Sequence, residues 1–270
     1  MNAPLLQVKN LVKHFPVKGG LLQREVGRVH AVDGLSFDLT AGETLGVVGE
    51  SGCGKSTMGR CLLRLIEPTS GEVWFEGKNV TAMGKDDLRA MARDMQIIFQ
   101  DPYASLNPRM TVGAIIGEAL TIHKLAPTKE AYRDRIVELL ETVGLSADHM
   151  RRYPHEFSGG QRQRIGIARA IAMEPEFILA DEIVSGLDVS SQAQVLRLLE
   201  RLVAELGLTL GFISHDLSVI RRLCSRVLVL HHGAIAEQAA TDRLFAAPQA
   251  AYTRELLDAI PLPDPDQVWV

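Results

Sequence analysis

The sequence predicts an α/β fold, a parallel sheet with covered faces that carries an antiparallel β subdomain and an inserted α-helical subdomain. Three observations predict it. Short apolar runs at residues 44–48, 177–180, 209–214 and 227–231 alternate with stretches of helical periodicity, the pattern of strand–helix–strand units buried on both faces. Before residue 50 the β-formers instead cluster between turn residues, as antiparallel strands do. From residue 110 to about 153 the periodicity is helical throughout.

In chain order, Leu6-Gln7-Val8, Val29-His30-Ala31-Val32 and Leu35-Ser36-Phe37-Asp38-Leu39 supply the antiparallel sheet, with turns at Gly19-Gly20 and Ala41-Gly42. Thr44-Leu45-Gly46-Val47-Val48 is a buried strand, followed by a helix over about 56–66, a hairpin strand at 71–77 and a second buried strand at 95–99. Within the helical insertion, residues 131–140 carry an amphipathic stripe. Helices at 161–173, 190–206 and 217–223 then alternate with the remaining strands, one of which, at 227–231, is the last expected. Residues 261–266, with three prolines, read as a loosely held tail. The whole is expected to be one domain over 1–270: a core with its β subdomain at 1–100 and 161–260, a helical subdomain at 101–160 and the tail at 261–270.

Composition narrows the class. With 270 residues, 46% of them hydrophobic and 23% charged, the chain can bury a sizeable core. A net charge of −4 argues against nucleic acid as a partner, since phosphate-backbone readers carry a basic surplus. Three cysteines, Cys53, Cys61 and Cys224, are too few for a disulfide framework and point to a reducing compartment. The first residues lack the charged start and apolar stretch of a signal peptide, and no apolar run approaches the ~20 residues that cross a bilayer. The chain is therefore expected in the cytosol, with any membrane contact made through a partner.

Gly49-Glu50-Ser51-Gly52-Cys53-Gly54-Lys55-Ser56 fits the phosphate-cradling pattern G-x-x-x-x-G-K-[ST] directly after a buried strand. Glycines let the backbone wrap so that its N–H groups converge on the β-phosphate, and Lys55 adds a point charge for the β- and γ-phosphates. Ser56 is the Mg²⁺ ligand of this pattern, and the helix opening through Thr57 aims its positive end at the anion. Such a loop marks a P-loop NTPase and binds a nucleoside triphosphate. A second strand ending in carboxylates, Phe177-Ile178-Leu179-Ala180-Asp181-Glu182, supplies the rest: Asp181 for Mg²⁺ and Glu182 to polarise the attacking water. Cys53 serves as a small residue in the loop, and partial exposure there is expected to leave it open to oxidation or alkylation.

Phe157-Ser158-Gly159-Gly160-Gln161 lies before a helix and forms a second anion site that has no lysine of its own. With this segment the chain resembles the nucleotide-binding subunits of ABC transporters, whose signature reads L-S-G-G-Q, with Phe157 here in place of the leucine. The resemblance covers residues 6 to about 260. It implies an ABC ATPase, with the RecA-like core of that family, whose sites form head to tail across a dimer, ATP on one subunit's phosphate loop being capped by the other's Ser158, Gly159, Gly160 and Gln161. Gln100 matches the glutamine that touches Mg²⁺ and the lytic water, Asp188 the loop that crosses the dimer interface, and His215 the switch histidine that reaches the γ-phosphate. Phe15 aligns with the aromatic that stacks on adenine, with a plain core role as its alternative. Ile183 departs from the family, which has proline there, and is expected to alter loop stiffness without abolishing activity.

Residues 15–22, 99–109, 152–157 and 251–257 are similar to the dipeptide, oligopeptide and nickel importer ATPases. That similarity implies uptake of di- or oligopeptides, with a nickel or other small-solute importer as the alternative and a soluble ABC ATPase outside transport as a further one. It implies as partners a second ABC ATPase subunit, identical or homologous, two transmembrane permease subunits whose coupling helix is received by the groove at residues 101–109, with a surface loop turning at Asn107-Pro108 as the alternative for that segment, and indirectly an extracytoplasmic substrate-binding protein. The location implied is peripheral, at the cytoplasmic face of the cell membrane. With no cysteine beyond Cys224, no iron–sulfur cluster is expected.

Overall fold

The computed structural model describes residues 3–19 and 24–259. Strands β1 (Leu6–Gly19) and β2 (Arg24–Leu39) form a long antiparallel pair and lead into β3 (Thr44–Val48) and α1 (Lys55–Leu62). Next come β4 (Ser70–Phe75), β5 (Lys78–Asn79), α2 (Lys85–Met91) and β6 (Met95–Ile98). The helical segment holds α3 (Pro102–Ser105), α4 (Val112–Ile122) and α5 (Lys129–Thr142). After it run α6 (Gly159–Ile171), β7 (Phe177–Asp181), α7 (Val189–Leu206), β8 (Thr209–Ile213) and α8 (Leu217–Leu223). The described chain closes with β9 (Arg226–His231), β10 (Ala234–Ala240), α9 (Thr241–Ala246) and α10 (Ala251–Asp258).

Two sheets result, a four-stranded one in the order β2-β1-β4-β5 and a six-stranded one in the order β10-β9-β3-β8-β7-β6. In the latter, β9, β3, β8, β7 and β6 are parallel and β10 is antiparallel to β9. Every residue of β3, β7 and β8 is buried, which is why these strands read as unbroken apolar runs. Alternation still decides which face each residue serves. Leu45, Val47, Phe177 and Leu179 pack into the core shared with α1 and the four-stranded sheet. Val48, Ile178, Ala180 and Phe212 face the second core, filled by the helices of the other layer. Gly46 admits α8 against β3, since a Cβ there would stand 2.7 Å from Ile220 Cγ2.

Several elements depart from the sequence expectations. The helix expected to residue 66 ends at Leu62, and Arg64 turns the chain with φ of 50°. Helices α2 and α3 and strand β10 were not predicted, so two strands rather than one follow α8. The expected buried strand at 95–99 is a sheet edge, with Gln96 and Ile97 only half-buried. The tail at 261–270 and Gly20 of the expected turn lie outside the described residues.

Candidate functional site

The parallel strands deliver their carboxyl ends to one edge of the sheet, and the chemical residues follow those ends directly. Gly49 follows β3, Gln100 lies two residues beyond β6, Asp181 ends β7 with Glu182 next, and His215 lies two residues beyond β8. That edge is where open α/β sheets bind ligands.

The loop at 49–54 is wedged between two strands. Gly49, Gly52 and Gly54 have φ of 149°, 83° and 105°, values that side chains with a Cβ disfavour. A Cβ on Gly49 would lie 2.2 Å from the Leu230 carbonyl oxygen, and one on Gly54 would lie 1.9 Å from that of Ala31. The glycines are thus demanded by close backbone approach as well as by turn geometry. Gly54 caps α1, so the helix begins at Lys55 and runs through Ser56 and Thr57. Lys55 is 4% exposed, and its Nζ donates to the carbonyls of Gly49 and Glu50, both at 2.8 Å. The ammonium is therefore folded back over the mouth of the loop.

Ser56 Oγ donates to Asp181 Oδ1 at 2.8 Å, which brings together two of the three side chains predicted to bind the metal. Asp181 is 2% exposed, and desolvation pushes its carboxyl pKa up despite the Ser56 hydrogen bond. Glu182 sits in the left-handed region at φ 49° and is pinned there by its own N–H to Ile213 O at 3.0 Å. Its Oε2 accepts from Gln100 Nε2 at 3.0 Å and stands 3.7 Å from His215 Nδ1. One carboxylate oxygen is therefore bracketed by the two predicted partners, with His215 exposed and Glu182 mostly buried. Ile183, where the resemblance implies proline, is 1% exposed and fills the helical-layer core.

Phe15 stands on β1 at 36% exposure, so it is no core residue, and Lys13 Nζ lies over its ring 4.9 Å from the centroid. Cys53 corrects an expectation. It is buried under the loop, and desolvation raises its thiol pKa, so it lacks the exposed thiolate that oxidation or alkylation needs.

The signature segment lies elsewhere. Ser158 caps α6 in a reciprocal pair, its Oγ accepting from Gln161 N–H at 3.3 Å while its own N–H donates to Gln161 Oε1 at 3.0 Å. Gly159 packs against the loop before α7 and Gly160 against its first turn, where added Cβ atoms would meet Leu187 Cδ2 at 3.3 Å and Ser191 Cβ at 2.8 Å. Asp188 caps α7: its carboxylate accepts from Ser191 N–H at 2.9 Å and from the hydroxyls of Ser190 and Ser191. Those bonds hold its pKa well below the usual carboxylate range. The cleft beside them is lined by Gln100, Gly159, Gly160, Ser185 and Asp188. Among the described residues no hydrogen bond joins Ser158, Gly159, Gly160 or Gln161 to residues 49–56.

One contact escaped the sequence. The Glu50 N–H donates to Tyr252 Oη on α10 at 3.0 Å, a pairing across 202 residues that no local pattern signals. A second cluster, His14, His30 and Asp33, brings three ligand-type side chains together near the base of the β1–β2 pair. Its imidazoles stack at 3.8 Å with 28° between planes, so their in-plane lone pairs run nearly parallel instead of converging on one ion.

Comparison with known proteins agrees with this geometry. The ABC transporter family model matches residues 32–185. The chain is similar to the oligopeptide transport ATP-binding protein OppF of Bacillus subtilis, at 57% identity over 98% of this chain and 85% of that protein. It is also similar to the glutathione import ATP-binding protein GsiA of Pectobacterium atrosepticum, at 51% identity over 98% of this chain, of which it spans 42%. Among solved structures, the dimeric post-hydrolysis state of the ATP-binding cassette MJ0796 bound to ADP and Pi aligns with a TM-score of 0.78 and 30% identity, covering 87% of this chain and 98% of that one. No helix among the described residues is long and apolar enough to cross a membrane. Phosphate loop, paired carboxylates, bracketing glutamine and histidine and a detached Ser-Gly-Gly cap occur on one sheet and its helical layer, and the chain belongs to the ABC transporter family.

Proposed function

We propose that this chain is the ATP-hydrolysing subunit of an importer for di- and oligopeptides, working as one half of a cassette dimer at the cytoplasmic face of a membrane. The observation that carries the reading is the separation of two half-sites. Residues 49–56, Gln100, Asp181, Glu182 and His215 gather at one sheet edge, while Ser158, Gly159, Gly160 and Gln161 make no hydrogen bond to the phosphate loop. A second subunit would bring its own signature over the first subunit's nucleotide. The relatives named for oligopeptide and glutathione import support a peptide as the cargo.

In this reading Lys55 leaves the Gly49 and Glu50 carbonyls for the β- and γ-phosphates, and Phe15 offers its ring to the adenine. Ser56, Gln100 and Asp181 would hold Mg²⁺, for which hydroxyl, amide and carboxylate oxygens suit a hard cation. The ion, when bound, neutralises charge on the phosphates. Glu182 Oε2 accepts the proton of the attacking water, oriented by Gln100 and His215, and His215 also senses the γ-phosphate. Closure is driven by contacts present only in the closed pair, since ATP shifts the equilibrium only by its preference for that state. Residues 101–109 would receive a permease subunit: α3 there is capped by Asp101, and Tyr103 is 65% exposed with the Arg162 guanidinium stacked on its ring at 3.7 Å.

Purification of the tagged chain from membranes tests the proposal. Two permease subunits and an ATPase subunit should co-purify, and addition of a di- or oligopeptide with its binding protein should stimulate ATP hydrolysis. Recovery with ribosomes or DNA, or stimulation by nickel and not by peptides when Mg²⁺ is already present, would refute peptide import.

A further inference from the structure

We infer that Tyr252 is a positioning residue for the phosphate loop, holding the Gly49–Glu50 peptide from outside so that the loop keeps its nucleotide-binding shape before ATP arrives. The inference rests on reading residues 49–56 as the nucleotide site.

The peptide's own geometry separates an inner from an outer edge. The Gly49 carbonyl accepts from Lys55 Nζ at 2.8 Å, so it faces the loop interior. No peptide bond among the described residues is cis, and in a trans peptide the following N–H points the opposite way. That N–H, of Glu50, meets Tyr252 Oη at 3.0 Å. One peptide plane is thereby gripped on its inner edge by Lys55 and on its outer edge by Tyr252. When Lys55 turns to the phosphates, the inner grip is released. The outer one does not depend on it. Because it lies on the far side, Tyr252 also leaves the inner face of the loop free for phosphate.

Tyr252 is itself held at several points. Its ring stacks on His231 at 3.8 Å with planes 16° apart. His231 ends β9 one residue after Leu230, whose carbonyl closes on Gly49. The start of α10 is fixed by Glu237 of β10, whose two carboxylate oxygens accept the N–H groups of Gln249 and Ala250, each at 2.9 Å. Thr253, the next residue along α10, is 1% exposed. Burial pushes the Tyr252 hydroxyl pKa up, so it stays neutral through the physiological range and the contact is not a pH switch. A rigid arm from β9 through β10 to α10 thus returns onto a loop whose first glycine, at φ 149°, adopts a conformation that needs support.

The substitution Tyr252→Phe removes the hydroxyl and leaves the ring stack, so it isolates this one hydrogen bond. In the nucleotide-free full chain, exchange of the Glu50 amide should quicken by about 3- to 10-fold, the weight of a single hydrogen bond. The Kd for ATP by calorimetry should rise by a similar factor, with kcat within about twofold of wild type and the thermal midpoint unchanged. Wild-type exchange and Kd would overturn the assignment, as would tighter ATP binding, which would make Tyr252 a competitor. A lowered midpoint with unchanged Kd would reduce Tyr252 to a packing ring. If the wild-type chain bound no ATP, the nucleotide reading would fail, while the exchange measurement would still decide the contact.

Discussion

The phosphate loop and the signature segment are both glycine-containing turns at the start of a helix, yet they are held in opposite ways. The loop's glycines are forced by neighbouring strands, the buried Lys55 and Asp181 are held by two backbone carbonyls and by Ser56, and Tyr252 holds the Glu50 N–H. At the signature, Ser158 and Gln161 satisfy only each other, and Asp188 likewise spends its carboxylate on its own helix cap. The first region is shaped by the rest of its own chain. The second is a self-closed cap with no hydrogen bond to the loop, which is what the proposed completion of the site by another subunit requires.

The widest test of this contrast uses two dead variants. Lys55→Ala spoils only the loop and Ser158→Arg only the cap, so each alone should abolish ATP hydrolysis. If the dimer is of identical chains, an equimolar mixture should regain about a quarter of the wild-type rate, because half the pairs contain one intact composite site out of two. No recovery in the mixture, with both variants folded, would mean that the two half-sites are not shared between copies of this chain.

Next in size is Glu182→Gln, which keeps the shape of the side chain that Gln100 and His215 bracket. It should slow hydrolysis by roughly 10²- to 10⁴-fold while ATP-dependent association measured by light scattering persists. Turnover near wild type would remove Glu182 from the general-base role.

The smallest effect concerns packing beneath the loop and behind β3. Burial raises the thiol of Cys61 to about 11 and that of Cys224 to about 12, above the ordinary value near 8.5. A raised folded pKa means that stability is complete below pH ~8.5 and falls above it, as the unfolded chain ionises while the folded one does not. Between pH 9 and 11 the urea midpoint should drop by the equivalent of about 1–3 kcal/mol for each thiol, and Cys61→Ala with Cys224→Ala should flatten that slope. An equal slope in the double variant would place the alkaline loss on other groups.

Much of this was legible because local backbone chemistry dictates it. A loop that must turn left-handed at Gly52 and Gly54 advertises itself in glycine, and strands buried on both faces advertise themselves in apolar runs such as 209–213. Strand β10 did not, because Ala234-Ile235-Ala236-Glu237-Gln238-Ala239-Ala240 has little intrinsic strand preference and is held by antiparallel pairing with β9. The burial of Cys53 depends on how β2 and β9 close over the loop, which spacing in the chain does not encode. The Tyr252 contact is hidden for the same reason, its partners meeting only after the final strands fold back. Asp188 shows a third kind of gap: the resemblance implies a role at an interface, and the free chain employs the same carboxylate as a helix cap.

Gly46 carries a mechanical consequence. By letting Ile220 seat against β3, it clamps the helix that starts two residues after His215 onto the strand that ends one residue before Gly49. The histidine and the phosphate loop therefore stand on one packed unit. Gln100 instead leaves an edge strand toward the helical layer, so its hydrogen bond to Glu182 ties the start of that layer to the end of β7.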